Sequence, residues 1–142
     1  MEKIKLLLVE DRDIIRDCIR LLLNPSKDIE IVAEATNGLE ALYLIQHVEY
    51  DVILMDYAMP EMNGLETLKS IMEMNNKTKV VMFSFLNNPF EIKGLLDVGA
   101  FGYINKDSDI SVYEQAIKEA HKGNKFFCDK TKQLLAFNAL SS

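Results

Sequence analysis

The sequence predicts an α/β domain: a doubly wound, five-stranded parallel sheet with helices on both faces. Three observations carry that prediction. Short apolar runs alternate along the chain with amphipathic segments roughly ten residues long. Most of the runs are solid Val, Ile, Leu and Met, as suits strands covered on both faces. Asn-Pro and Asn-Gly pairs fall between the two kinds of segment, where turns and helix starts belong.

In chain order, the first strand is Ile4–Val9, followed by a helix with Ile15, Cys18, Ile19 and Leu22 on one side. Asn24-Pro25 ends that helix, because the residue before a proline avoids the α conformation. The second strand, Ile29–Ala35, precedes a helix opened by Asn37-Gly38 and carrying Leu39, Leu42 and Ile45. The third strand, Val52–Met55, runs into a loop shaped by Pro60 and Gly64, and Asn63-Gly64 opens a helix with Leu65, Leu68, Ile71 and Met72. The fourth strand is Val80–Ser84; Asn88-Pro89 then precedes a helix with Ile92, Leu95 and Leu96. Tyr103–Ile104 is the fifth strand, and Val112, Ala116, Ile117 and Ala120 mark the last helix of the fold. The domain so read covers residues 1–123. Residues 124–142 read as a C-terminal tail in which Asp129 would cap a short helix carrying Leu134, Leu135 and Phe137, packed on its own domain or leading elsewhere.

Composition narrows the function. A chain of 142 residues holds one domain with a sizeable core, and 49% hydrophobic with 27% charged residues is globular rather than disordered. No run approaches the ~18 apolar residues of a membrane span, and acidic residues arrive before any signal-peptide pattern, so a cytoplasmic protein is expected. Cys18 and Cys128 form no CxxC motif, which fits a reducing compartment. A net charge of -6 argues against direct nucleic-acid binding, which needs clustered Lys and Arg. Any DNA contact would need another domain.

The chemistry sits at the strand ends. Glu10 and Asp11 follow the first strand, Asp56 the third, Ser84 closes the fourth and Lys106 follows the fifth. In doubly wound sheets the ligand crevice lies outside the carboxyl ends of the strands, and right-handed crossovers bring those ends to one edge. With strand order 2-1-3-4-5, Asp11 and Asp56 become neighbours. Converging carboxylates repel unless a cation neutralises them, and an oxygen-only set with room for water suits Mg²⁺ better than zinc. Such an ion would also bridge a phosphate oxygen, with Lys106 pairing with another and the Ser84 hydroxyl donating to a third. The bland alternative makes Glu10 and Asp11 a solvated pair beside the first helix, with Asp13 as its cap. For Asp56 it is a strand-end turn cap, although an acid between Met55 and Met59 is costly to bury unpaired.

LLLVED, MDYAMPEMNG, VVMFS and GAFGYINKD, in this order and spacing, resemble the response-regulator receiver family, a CheY-like and flavodoxin-like fold, along nearly the whole chain up to about Gly123. GAFGYINKD with the following KGNKFF resembles the NarL/LuxR-type subgroup, whose receivers usually precede a helix-turn-helix DNA-binding domain. The resemblance implies that Asp56 is the phosphoacceptor, that Glu10, Asp11, Asp56 and the Tyr57 backbone carbonyl hold Mg²⁺, and that Lys106 and Ser84 read the phosphate. It also implies a switch in which Ser84 moves toward the phosphoryl group and Tyr103 turns inward. A sensor histidine kinase is the implied partner, a homodimer a second, and DNA one reached only through an output domain outside this chain. The domain would assist its own phosphorylation without being a conventional enzyme. Phe85 departs from the family, which usually has a small residue after the strand-end Ser, and its bulk bears on the room for a phosphoryl group. Ala58 and Leu86 occupy positions that tune phosphate lifetime. A haloacid-dehalogenase-type phosphatase would want an acid where Ala58 stands, and a flavodoxin would want a Ser/Thr/Gly-rich loop where VEDRD stands. The remaining rival is an interaction module on the same fold that needs no phosphorylation. His47 and His121 read as surface residues.

Overall fold

A computed structural model of the chain describes residues 2–74, 77–85, 88–127, 131–133 and 135–136. Strand β1 (Ile4–Val9) leads to α1 (Asp13–Leu23), β2 (Ile29–Ala35), α2 (Gly38–His47), β3 (Val52–Asp56), α3 (Gly64–Glu73), β4 (Lys79–Ser84), α4 (Pro89–Val98), β5 (Gly102–Asn105), α5 (Ile110–His121) and a two-residue β6 (Phe126–Phe127). The sheet is parallel in the order β2-β1-β3-β4-β5-β6.

Alternate side chains of the central strands point to opposite faces, and each face has its own core. Leu7, Val9, Ile53, Met55, Val80 and Met82 pack under α2, α3 and α4 through Ala41, Ile45, Leu68, Ile71, Ile92 and Leu95. Ile4, Leu6, Leu8, Val52, Leu54, Val81 and Phe83 pack under α1 and α5 through Ile19, Leu23, Ala116, Ile117 and Ala120. A fully buried Leu such as Leu54 contributes about 2 kcal/mol from apolar burial alone, so the central strands are the rigid part of the molecule.

The helices begin where the turn signals lie. Asn37 accepts from Glu40 N, Asn63 and Glu66 form a reciprocal capping box, and Asn88 accepts from Phe90 N with Pro89 in the first turn. The start of α1 corrects one expectation: its cap position is Arg12 and no side chain bonds there. Asp13 lies inside the first turn and pairs instead with Arg16 three residues on, a contact open to a charge of opposite sign one turn away.

The sixth strand was not expected. Two residues carry no periodic signal of their own, and Phe126 and Phe127 join the sheet through pairing with Gly102 and Tyr103. Gly102 permits that approach, because a Cβ there would lie 2.8 Å from the Phe126 carbonyl oxygen. Phe127 and Leu135 lean on one core and Phe126 on the other, so chain beyond residue 123 adds to the same domain. Leu86, Cys128, Asp129, Leu134 and Phe137 lie outside the described residues. Among the described residues, no helix is long and apolar enough to cross a membrane. Cys18, His47 and His121 are exposed.

Candidate functional site

The parallel register assembles the site. Val9 pairs with Met55, so the next residues, Glu10 and Asp56, stand side by side at the carboxyl ends of β1 and β3. Asp56 pairs with Phe83 on the other flank and Ser84 with Asn105, which sets Lys106 two strands away with its side chain returning across Phe83. Three carboxylates from two stretches of chain, Glu10, Asp11 and Asp56, offer oxygens within 4.8 Å of one another.

Glu10 and Asp56 are fully buried, and Lys106 Nζ lies 2.8 Å from Glu10 Oε1 and 3.1 Å from Asp56 Oδ2. One ammonium thus serves two carboxylates. Glu10 Oε1 and Asp56 Oδ2 are met only by this shared ammonium, and Asp11 Oδ1, also buried, accepts no hydrogen bond. Three buried carboxylate oxygens facing a common space with charge left over are the donor set of a hard divalent cation.

The other oxygens are committed to holding the geometry. Glu10 Oε2 accepts from Arg12 N at 2.9 Å, and the Glu10 carbonyl accepts from Arg16 Nη1 at 2.9 Å. Asp56 Oδ1 accepts from Ala58 N at 3.3 Å. Burial, and next the neighbouring charge of Glu10, push the Asp56 carboxyl up to about 7, against the pull of the Lys106 ammonium. The acid is therefore poorly compensated as it stands.

The loop after β3 folds back tightly: Gly64 N and Met59 N donate to the Tyr57 carbonyl at 2.7 and 3.1 Å. That oxygen, expected to join the metal ligands, thus already accepts two N–H groups of its own loop. Gly64 is required at the turn, since a Cβ would lie 2.7 Å from Tyr57 Cα and 2.9 Å from the Asp56 carbonyl oxygen.

Ser84 is buried at the end of β4, and its carbonyl accepts from Lys106 N at 2.9 Å. Tyr103 points inward, 1% exposed in the core beneath α4. Phe85 is 58% exposed with its ring 5.6 Å from Lys106 Nζ, so its bulk stands at the lysine's flank and outside the acidic cluster. It lines a mostly apolar cavity of about 230 Å³ between α1 and α5. A larger cavity of about 720 Å³ lies at the opposite end of the sheet, among residues of the α2–β3 and α3–β4 connections, and holds none of the three clustered carboxylates.

Sequence reasoning missed two supporting residues. Arg16 holds the Glu10 carbonyl and pairs with Asp13 and Glu34, and Tyr113 donates from its hydroxyl to the Lys106 carbonyl at 2.9 Å. Neither has a motif; an Arg one turn into the first helix and a Tyr in the first turn of the last are ordinary in any amphipathic helix.

Comparison with known proteins agrees with this geometry. Residues 6–118 match the family described as "Response regulator receiver domain". The nitrate/nitrite response regulator protein NarP of Escherichia coli (strain K12) is 34% identical over 131 residues, 92% of this chain and 61% of that protein. NarL of the same strain is 33% identical over 135 residues, 95% of this chain and 62% of that protein. The chain thus spans about three-fifths of the length of these relatives. A LuxR-family two-component response regulator from Aurantimonas sp. SI85-9A1 superimposes with a TM-score of 0.93 at 25% identity, covering 98% of this chain and 99% of that one. The signal receiver domain of a NarL response regulator from Mycobacterium tuberculosis gives 0.83 at 30% identity, covering 87% of this chain and all of that one.

Proposed function

This chain belongs to the response regulator receiver domain family, in its NarL/LuxR-type subgroup, and from that premise we propose that it is a phosphorylation switch whose acceptor is Asp56. A carboxylate oxygen of Asp56 attacks the phosphorus of a phosphohistidine on a sensor histidine kinase; the P–N bond breaks as the P–O bond forms. The observation that carries this reading is a cluster of three carboxylates, two of them buried, that shares a single ammonium.

Glu10, Asp11 and Asp56 would hold Mg²⁺, with water completing its shell, and the ion supplies charge neutralisation for the incoming phosphoryl group. Lys106 moves its ammonium from the carboxylates to a phosphoryl oxygen, a short displacement because it already faces Asp56 at 3.1 Å. The Ser84 hydroxyl donates to a second oxygen, and Tyr103, already inward in this structure, is held there in the phosphorylated state. The two conformations differ by only a few kcal/mol, so a single new set of phosphate contacts chooses between them.

The partners proposed are those the family reading implies. The kinase supplies the phosphoryl group, a second copy forms a homodimer, and a DNA-binding output domain outside residues 1–142 carries the signal to transcription, as suits similarity to proteins named as response regulators and transcriptional regulatory proteins. The domain acts in the cytoplasm and turns over no free metabolite, so it is no conventional enzyme.

The test is titration with beryllofluoride, a phosphoryl mimic, in excess Mg²⁺, followed by amide NMR. Shifts at Ser84, Tyr103 and Lys106 in the wild type, absent in Asp56→Asn, support the switch. Folded wild-type protein that shows no response would favour an interaction module that needs no phosphorylation.

A further inference from the structure

Lys106 carries a flexible four-carbon stem, so its ammonium is only as well placed as its Cα and the surface along which the stem lies. The peptide of Lys106 is gripped on both sides. Its N–H donates to the Ser84 carbonyl at 2.9 Å, and its carbonyl accepts from the Tyr113 hydroxyl at 2.9 Å. Tyr113 sits in the first turn of α5, 4% exposed, and its ring meets Phe83 edge-on with centroids 6.0 Å apart. Phe83 in turn lies under the Lys106 ammonium, 5.3 Å from ring centroid to Nζ. One side chain therefore braces both the main chain of Lys106 and the aromatic face on which its charge rests.

We propose that Tyr113 is a positioning residue for Lys106, its hydroxyl tying the β5–α5 turn to α5 so that the ammonium meets the phosphoryl group without searching for it. The proposal rests on the reading of Lys106 as the phosphoryl-facing cation. Two further bonds lie within the turn itself: Ser108 N donates to the Asn105 carbonyl at 3.0 Å and Asp107 N to Asn105 Oδ1 at 3.3 Å. Without the Tyr113 hydroxyl the Lys106 carbonyl loses its bond to α5, and the lysine keeps its charge but not its placement. The hydroxyl bonds the Lys106 main chain and takes no part in the ion pairs of Glu10 or Asp56, so any looser ammonium only frees those carboxylates for the metal.

Tyr113→Phe removes the hydroxyl and keeps the ring against Phe83. In excess Mg²⁺ its affinity for beryllofluoride is expected to fall about three- to tenfold, the value of one hydrogen bond, while Mg²⁺ affinity without the mimic is not weakened. In a Lys106→Ala background the same substitution is expected to change beryllofluoride affinity less than twofold, which a general loosening of α5 would not reproduce. Hydrogen exchange gives an independent readout: the Lys106 amide should exchange faster in Tyr113→Phe while amides in the middle of α5 keep their wild-type rates. Unchanged beryllofluoride affinity in Tyr113→Phe, or an equal loss in both backgrounds, overturns the positioning role. Wild-type protein that binds no beryllofluoride would instead overturn the phosphoacceptor reading on which this one stands.

Discussion

In the metal-free protein, Asp56→Asn should stabilise the fold. Lys106 is shared between Glu10 at 2.8 Å and Asp56 at 3.1 Å, so removing the Asp56 charge leaves a balanced Glu10–Lys106 pair. A carboxyl pushed from its ordinary 3.8 to about 7 by burial and by Glu10 is costly to ionise in the folded chain. At about 1.4 kcal/mol per tenfold change in proton affinity, that is about 4 kcal/mol above pH 7, and water reaching the half-buried Asp11 side lowers the expected gain to roughly 2–4 kcal/mol. The sign follows from proton counting. Between about pH 4 and 7 the folded state holds a proton on Asp56 that the unfolded chain has released, so this group's contribution to stability is fully present below the unfolded value and is lost as pH rises through 7. Urea unfolding in EDTA at pH 8 and pH 4.5 measures it: the asparagine variant should lead the wild type at pH 8, and the lead should shrink as pH falls. A variant less stable than the wild type at pH 8 would show that Asp56 is well paired and the electrostatic reasoning wrong.

The opposite substitution gives the opposite sign: Lys106→Met leaves two buried carboxylates without a cation and should cost about 3–5 kcal/mol in EDTA, part of it restored by Mg²⁺ in the same urea assay. Mg²⁺ at a hundred times its dissociation constant should stabilise the wild type by about 2.7 kcal/mol in a thermal melt, and Asp11→Ala should lose most of that gain; an undiminished metal response would rule out this ligand set. Gly64→Ala forces a Cβ against Tyr57 Cα and the Asp56 carbonyl oxygen, main-chain atoms that cannot step aside, and should cost roughly 2 kcal/mol or more while lowering beryllofluoride affinity. Gly102→Ala should detach β6, seen as loss of protection at the Phe126 amide, which donates to the Phe101 carbonyl, with β1 and β3 unaffected.

Most of the fold was legible because its signals are local and redundant. Solid runs such as Leu6–Val9 and Val52–Met55, short and flanked by turn signals, read as buried strands, and Asn37, Asn63 and Asn88 cap the helices they precede. The acidic cluster was legible as topology, since strand order alone brings the ends of β1 and β3 together. Long-range hydrogen bonds and pairings that depend on final shape were not. Phe126–Phe127 pairs as a strand where Gly102 leaves room for it, the Tyr57 carbonyl closes its loop by accepting two N–H groups that no motif announces, and Tyr113 matters through one bond to a main-chain oxygen seven residues away. Phe85 shows the same limit. Its bulk was legible but not its direction, which is set by the Lys106 stem and the groove beside α1.

The most direct measurement is to incubate the intact chain with acetyl phosphate and Mg²⁺, trap the product with borohydride and locate the modified residue by peptide mass spectrometry. One phosphoryl group per chain, placed on Asp56, dependent on Mg²⁺ and lost in Asp56→Asn, is the expected result. Folded protein that takes up no phosphoryl group, or carries it on another residue, contradicts the role assigned to Asp56.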